Sequence, residues 1–102
     1  MPSRIDMQAK LEHILGSRNV YFEPPESVML RYPCFVYKRR PTSLRRADDS
    51  AYTRINHYEV TYISKDPDSG IIDTMLDNYQ MCSHSQTFTT DTLSHEVFDV
   101  YY

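Results

Sequence analysis

The sequence predicts an α+β domain, in which a mainly antiparallel sheet of four or five strands carries an N-terminal helix and one short second helix. Two observations predict it. Apolar residues recur at helical spacing near the N-terminus and again around residue 75, whereas other stretches alternate or are rich in β-branched and aromatic residues. Most of these strand-like stretches are not joined as regular βαβ units. A chain of 102 residues has room for one core, so we expect a single domain over 1–102.

The first element is an amphipathic helix of about three turns, in the stretch "SRIDMQAKLEHILG". Ser3 and Asp6 have the spacing of a capping box, although Glu or Gln is the usual partner of the capping Ser. Gly16 ends the helix, because glycine adopts the left-handed conformation that a helix C-terminus favours. The apolar face consists of Met7, Leu11, Ile14 and Leu15.

Three strands are predicted in the first two thirds of the chain. "NVYFEPP" is a short extended piece that ends at two prolines. The stretch from Cys34 to Lys38 is strongly strand-like, and Pro33 stands at its start, where a missing N–H does least harm. The clearest strand lies within 54–65, where Tyr58, Val60 and Tyr62 share one face.

The last third of the chain predicts a short helix and a hairpin. The helix lies in "SGIIDTMLDNY", with Asp68 or Ser69 as its N-cap. "MCSHSQTFTT" and "HEVFDVYY" are two further strands. The stretch Thr90-Asp91-Thr92 is a plausible hairpin turn between them.

Several classes of function lack their motifs. With only two glycines, the chain cannot contain a G-x-G-x-x-G motif or a P-loop. Cys82 and His84 form one close pair of metal ligands, whereas structural zinc needs four ligands. The acidic turn around Asp66 and Asp68 lacks the closing Glu of a calcium loop. We therefore expect no cofactor and no bound metal.

Catalysis and membrane insertion are also not predicted. Cys34 lies within a strand, where a cysteine packs, and no G-x-S-x-G motif places a serine nucleophile. We therefore expect a protein that is not an enzyme. No stretch approaches the 18 apolar residues of a membrane span, so we expect no membrane partner. Two buried reduced thiols are favoured over a disulfide between Cys34 and Cys82.

Charge is segregated along the chain. Residues 31–65 contain eight basic and three acidic residues, whereas residues 66–102 contain seven acidic residues and no basic one. The basic residues concentrate in 37–54, which we interpret as a long loop between strands, mobile over about 40–53. Its basic residues are Lys38, Arg39, Arg40, Arg45, Arg46 and Arg54, and the candidate acidic partners are Asp66, Asp68, Asp73, Asp77, Asp91 and Asp99.

Three interpretations of the basic segment remain open. It can contact the acidic region of a neighbouring subunit, which is a heterologous contact of the kind that closes into a ring. It can bind nucleic acid through phosphates, although no aromatic residue stands between its arginines for base stacking. It can also be a solvated loop that folds back on its own acidic sheet. Nine tyrosines, a residue type that suits interfaces, favour the first interpretation.

Three stretches together resemble a known group of proteins. "LEHILGSRNVYFEPPESVMLRYPCFVYKR", "YEVTYISKDPDS" and "TDTLSHEVFDVYY" are similar to the small neck and tail-completion proteins of tailed bacteriophages, the tail terminators. The resemblance covers most of the chain and is weakest across 40–53 and 72–82. Its motifs are structural, so there are no catalytic residues to transfer.

The resemblance implies a function without chemistry. Such a subunit forms a hexameric ring that caps the tail tube and joins it to the head connector, in a virion assembled in the host cytoplasm. Its partners would be other copies of itself, the tail tube protein, a connector or stopper protein, and DNA passing through the lumen. The arginines at 39, 40, 45 and 46 would contact a neighbour or line the lumen, and the often acidic lumen of such rings favours the neighbour. Another neck component, or a small nucleic-acid-binding module, is the alternative.

Overall fold

Two helices and seven strands are present in the computed structural model, which describes residues 3–41, 44–46, 52–54 and 56–102. For 44–46 and 52–54 only the backbone is described. The helices are α1, Arg4–Leu15, and α2, Ile71–Asn78. The strands are β1, Val20–Phe22; β2, Cys34–Arg40; β3, Leu44–Arg46; β4, Tyr52–Arg54; β5, His57–Ser64; β6, Met81–Thr90; and β7, Leu93–Tyr101.

Five of the strands form one mixed sheet in the order β1-β2-β5-β7-β6. The predicted α+β class is confirmed, with its N-terminal helix and short second helix. The expectation of a mainly antiparallel sheet is confirmed only in part, because β1 runs parallel to β2 while the other three pairs are antiparallel. The reason is the connection 23–33, which is long enough for the chain to return to the other end of β1 before β2 begins.

The capping box predicted for α1 is present. The backbone N–H of Asp6 donates to Ser3 Oγ over 3.3 Å, and the backbone N–H of Ser3 donates to Asp6 Oδ2 over 2.9 Å. At the other end, Gly16 adopts a φ of 79° and its N–H donates to the carbonyl oxygen of Glu12. Local sequence signals therefore determine both ends of this helix.

Both helices pack on one face of the sheet. Met7 and Leu11 of α1 and Ile71 and Met75 of α2 belong to a single apolar cluster. The predicted shared face of β5 is confirmed, because the three residues assigned to it are all buried in that cluster. The sheet contributes Phe35, Tyr37, Tyr58, Val60, Tyr62, Phe98 and Val100, which are cross-strand neighbours on this face.

The predicted cap of α2 is wrong. Gly70, with a φ of 74°, is the N-cap, and no side chain caps the helix. The backbone N–H of Asp68 instead donates to Asp66 Oδ1 over 2.9 Å, in the turn that precedes the helix. The predicted hairpin is correct, because β6 and β7 are joined through Asp91 and Thr92, both of which have positive φ.

The basic segment contains regular structure where a loop was expected. β2 continues to Arg40, and β3 pairs with β4 as a separate antiparallel ribbon. Residues 42–43 and 47–51, on which part of the predicted mobile loop falls, lie outside the described residues.

Candidate functional site

The predicted basic residues begin at one end of the main sheet. β2 ends at Arg40, which is the cross-strand partner of His57, the first residue of β5. Arg39 and Arg40 are exposed, and neither forms an ion pair with a side chain that the structure describes. The guanidinium carbon of Arg39 lies 5.9 Å from the centre of the Phe22 ring, which is within the range of a cation–π interaction. This contact stabilises the guanidinium group and leaves its positive charge in place.

The remaining predicted arginines lie on the ribbon that follows β2. Arg45 and Arg46 are on β3 and Arg54 is on β4, in a register that pairs Arg45 with Thr53 and Leu44 with Arg54. The ribbon extends the chain between the end of β2 and the start of β5. We call Arg39, Arg40 and the arginines of β3 and β4 the basic end of the molecule.

Four of the six predicted acidic residues lie at the opposite end of the sheet. Asp66 and Asp68 are in the turn after β5, Asp73 is in the first turn of α2, and Asp91 is in the turn between β6 and β7. β5 has eight residues, so its two ends are about 24 Å apart at roughly 3.4 Å per residue. We call these four residues the acidic end.

Basic residues also lie near the acidic end. Lys65 directly follows β5, and Arg18 stands two residues before the start of β1. Among the described side chains, none of these cations forms an ion pair with the four aspartates. The carboxylates of the acidic end are therefore not neutralised by ion pairs in the described part of the chain.

The other two predicted acidic residues lie elsewhere. Asp77 is in the last turn of α2, on the side of the molecule where β6 begins. Asp99 is on β7, where its Oδ1 lies 3.0 Å from Nε2 of His57 in the same chain. Since the His57 side chain is well buried and stacks on Tyr101 with ring centres 4.4 Å apart, Asp99 has a partner within its own sheet.

The sheet face opposite the helices carries a cleft of about 630 Å³. Its floor is a single cross-strand row formed by Val36, Thr61 and Val97. Glu23 and Pro24, from the connection after β1, form one wall. Gln86 and Phe88 of β6 form the other wall.

An ion pair closes one side of this cleft. Lys38 Nζ lies 2.9 Å from Glu59 Oε2, and the two residues are direct cross-strand partners. Lys38, which the sequence placed with the intermolecular basic residues, therefore pairs within its own chain. An exposed ion pair of this kind contributes roughly 0–1 kcal/mol to the free energy of unfolding. Lys38 can therefore leave Glu59 and contact a binding partner at little cost.

The chemistry of the two cysteines is that of protonated thiols. Burial raises the pKa of both Cys34 and Cys82 to about 11, and the nearby charge of Asp99 adds to the effect at Cys82. Both cysteines are free. They lie on β2 and β6, with two strands between them, so at strand spacings of about 4.8 Å they are too far apart for a disulfide within one chain.

A search of the described residues finds no group of three or more His, Cys, Asp or Glu side chains that could hold a metal ion. Within the same residues, no helix is both long enough and apolar enough to cross a membrane. The described side chains that line the cleft include no nucleophile paired with a base.

The cleft was not predicted from the sequence. Its floor joins residues from three strands, and the sequence gives no signal for which strands are neighbours. The alternation of β5 does indicate a second face with polar residues such as Thr61. This face becomes part of a continuous surface only because β5 pairs with β2 on one side and with β7 on the other. Strand order was the missing information.

Comparison with known proteins adds no family to these observations. No protein-family model matches the chain, and no curated protein matches it at a significant level. The functional interpretation therefore depends on the arrangement of charges in the described structure.

Proposed function

We propose that this chain is a structural assembly subunit of a tailed bacteriophage neck, a tail terminator or tail-completion protein. In this proposal several copies, six by the resemblance, form a ring that caps the tail tube and joins it to the head connector. The work of the protein is to make contacts, and it requires no cofactor. The assembly takes place in the host cytoplasm and ends in the virion.

The supporting observation is that opposite charges lie at opposite ends of one sheet. Arg39 and Arg40 are the last residues of β2 and lie beside the start of β5. Asp66 and Asp68 lie in the turn after the end of β5. A distance of about 24 Å along β5 prevents these groups from pairing within one chain. The basic end of one copy can contact the acidic end of the next copy, and a rotation repeated at each contact closes a ring.

The same observation weighs against a solvated loop that folds back on its own acidic residues. Such a loop would have to reach the far end of the sheet. In the described part of the chain, the predicted basic and acidic residues make no ion pair with each other, and Lys38 and Asp99 pair with other groups. The resemblance of the three quoted stretches to tail terminators supports the same assembly function.

Reversal of charge at the basic end tests the proposal. Arg45→Glu with Arg46→Glu should leave the subunit folded but unable to form rings, alone or on purified tail tubes. The control is Ala9→Glu with His13→Glu, two exposed positions of α1 outside both charged ends, which also makes the chain more acidic. Light scattering and electron microscopy over a range of protein and salt concentrations measure the assembly. Unchanged assembly of the first variant would contradict the proposal.

Two alternatives use the same basic residues and separate in this experiment. A small nucleic-acid-binding module would keep its oligomeric state in the Arg45→Glu, Arg46→Glu variant and lose DNA affinity, with a smaller dependence on salt. A stopper or head–tail connector would assemble like a terminator but bind the head connector in preference to tail tubes. Pull-down against both partners distinguishes these two neck components.

A further inference from the structure

The two edges of the main sheet differ in length and in protection. β1, at one edge, has three residues, and short edge strands offer little to pair with. β6, at the other edge, has ten residues. In the part of the chain that the structure describes, β7 pairs with one side of β6 and no strand pairs with its other side.

Apart from one irregularity in its pairing, β6 lacks the charged residues and prolines that usually protect an edge strand. Its sequence, "MCSHSQTFTT", contains no Lys, Arg, Asp, Glu or Pro. All five residues from Gln86 to Thr90 are exposed. One irregularity in the pairing with β7, between His84 and Gln86, divides the strand and leaves Gln86–Thr90 as a regular outer segment. An exposed, regular and uncharged edge is a template for another strand.

We propose that the outer edge of β6 pairs antiparallel with the same segment, Gln86–Thr90, of a second copy of this chain. The two-fold axis lies at Phe88, so the Phe88 side chains of the two copies are cross-strand neighbours. Thr87 then lies opposite Thr89 of the other copy, in two equivalent pairs. The two sheets become one continuous sheet of ten strands, twice the five of one copy.

The chemistry of the segment favours a second copy as the occupant. An uncharged edge can pair with an uncharged strand without electrostatic repulsion, and self-pairing in this register brings no like charges together. Aromatic pairs and Thr–Thr pairs are both favourable across antiparallel strands. The Phe88 ring is 39% exposed and is already stacked on His95, with ring centres 4.5 Å apart, so it is held at the edge before pairing.

This contact is independent of the proposed ring contact. Ring formation uses the two ends of the sheet, which carry charges, whereas the β6 contact uses the edge between those ends. High salt should weaken a contact between oppositely charged ends and leave an uncharged backbone-paired seam in place. An experiment can therefore show that one of the two contacts does not form while the other contact still forms.

Two double variants of exposed threonines test the pairing and its register. Thr87→Lys with Thr89→Lys places Lys opposite Lys at two positions and should raise the dimer dissociation constant about tenfold or more. Thr87→Lys with Thr89→Glu places Lys opposite Glu at the same two positions and should remain a dimer. Sedimentation equilibrium at low salt, where the charges across the seam are least screened, measures both in an Arg45→Glu, Arg46→Glu background that removes the charged ring contact. Circular dichroism checks that each variant is folded.

Four results would overturn the proposal. They are a monomeric wild-type protein at high concentration, a Lys–Lys variant that dimerises like wild type, a Lys–Glu variant that is monomeric, and equal dissociation constants for the two variants. Ile5→Lys, at an exposed apolar residue on α1, is the control for an added surface charge and should leave the dimer unchanged. A dimeric wild type with the predicted difference between the two variants supports the pairing.

Discussion

Two buried tyrosines in the core differ in what their hydroxyl groups contact. Tyr37 Oη donates to Gln8 Oε1 over 2.6 Å and accepts from Arg4 Nη1 over 3.2 Å. The hydroxyl of Tyr58 is buried and has no hydrogen-bond partner among the described residues. The rings themselves contact each other edge to face, with centres 5.8 Å apart, so their apolar environments are similar.

The two tyrosines should therefore respond differently to loss of the hydroxyl. Tyr37→Phe should lower the free energy of unfolding by about 1–2 kcal/mol, because Gln8 and Arg4 lose a partner. Tyr58→Phe should leave it unchanged or raise it by up to about 1 kcal/mol, because an unsatisfied buried group is removed. Urea unfolding of the two variants measures the difference. A larger loss for Tyr58→Phe than for Tyr37→Phe would show that the Tyr58 hydroxyl has a partner.

The capping carboxylate of Asp6 should make part of the stability depend on pH. Hydrogen bonds from the backbone and side chain of Ser3 lower the pKa of Asp6 from its usual 3.8. A depressed pKa in the folded state gives stability that is present above 3.8 and is lost as the pH falls through the folded value. Asp6→Asn should therefore have a lower melting temperature than wild type at neutral pH. At a pH well below 3.8 the two should melt together; a constant difference would contradict this account.

Among the elements, the β6–β7 turn is a place where the sequence is not optimal for its conformation. Asp91 and Thr92 have φ values of 52° and 64°, the left-handed region required by a two-residue hairpin turn. A β-branched residue is unfavourable there. Thr92→Gly should therefore raise the free energy of unfolding by about 0.5–1 kcal/mol.

The matched control for this turn is a glycine at the neighbouring strand position. Thr90 pairs with Leu93 at the end of the ladder, where glycine lowers strand stability. Thr90→Gly should therefore destabilise the protein while Thr92→Gly stabilises it. Guanidinium unfolding compares the two variants, and a loss of stability in both would mean that the turn is not strained at Thr92.

Elements with local determinants could be predicted from the sequence, and those with distant determinants could not. The cap of α1 involves residues three apart, and the inward face of β5 follows from alternation, so both were predicted correctly. The parallel pairing of β1 depends on the path of the connection 23–33, and a short strand carries no signal of its direction. The α2 cap failed because Gly70 precedes the helix in a left-handed conformation, while Asp66 forms the preceding turn.

At the scale of the whole molecule, charge segregation along the sequence becomes charge separation in space only through strand order. The sequence showed the basic and acidic segments but not the ends of the sheet at which they lie. Asp99 illustrates the limit, because its contact with His57 depends on the pairing of β5 with β7. Four of the predicted aspartates, by contrast, lie in turns or in the first turn of a helix, which strand-end signals in the sequence could locate.

The proposed ring predicts that two variants, each unable to assemble alone, should assemble when they are mixed. Arg39→Glu with Arg40→Glu gives a subunit with acidic residues at both ends, and Asp66→Lys with Asp68→Lys gives one with basic residues at both ends. Neither variant should form rings alone, because each lacks one half of the heterologous contact. An equimolar mixture should form them, because the two subunits can alternate around a ring with an even number of positions.

The mixture also separates assembly from binding to nucleic acid. Light scattering and electron microscopy should show rings in the mixture at low salt, and their loss at high salt, since the contacts are between charges near the surface. The control is each variant alone under the same conditions, in which every contact joins ends of like charge and no ring should form. If the mixture forms no rings and the Arg39→Glu, Arg40→Glu variant binds DNA more weakly than wild type, the basic end binds phosphate and the ring proposal is wrong.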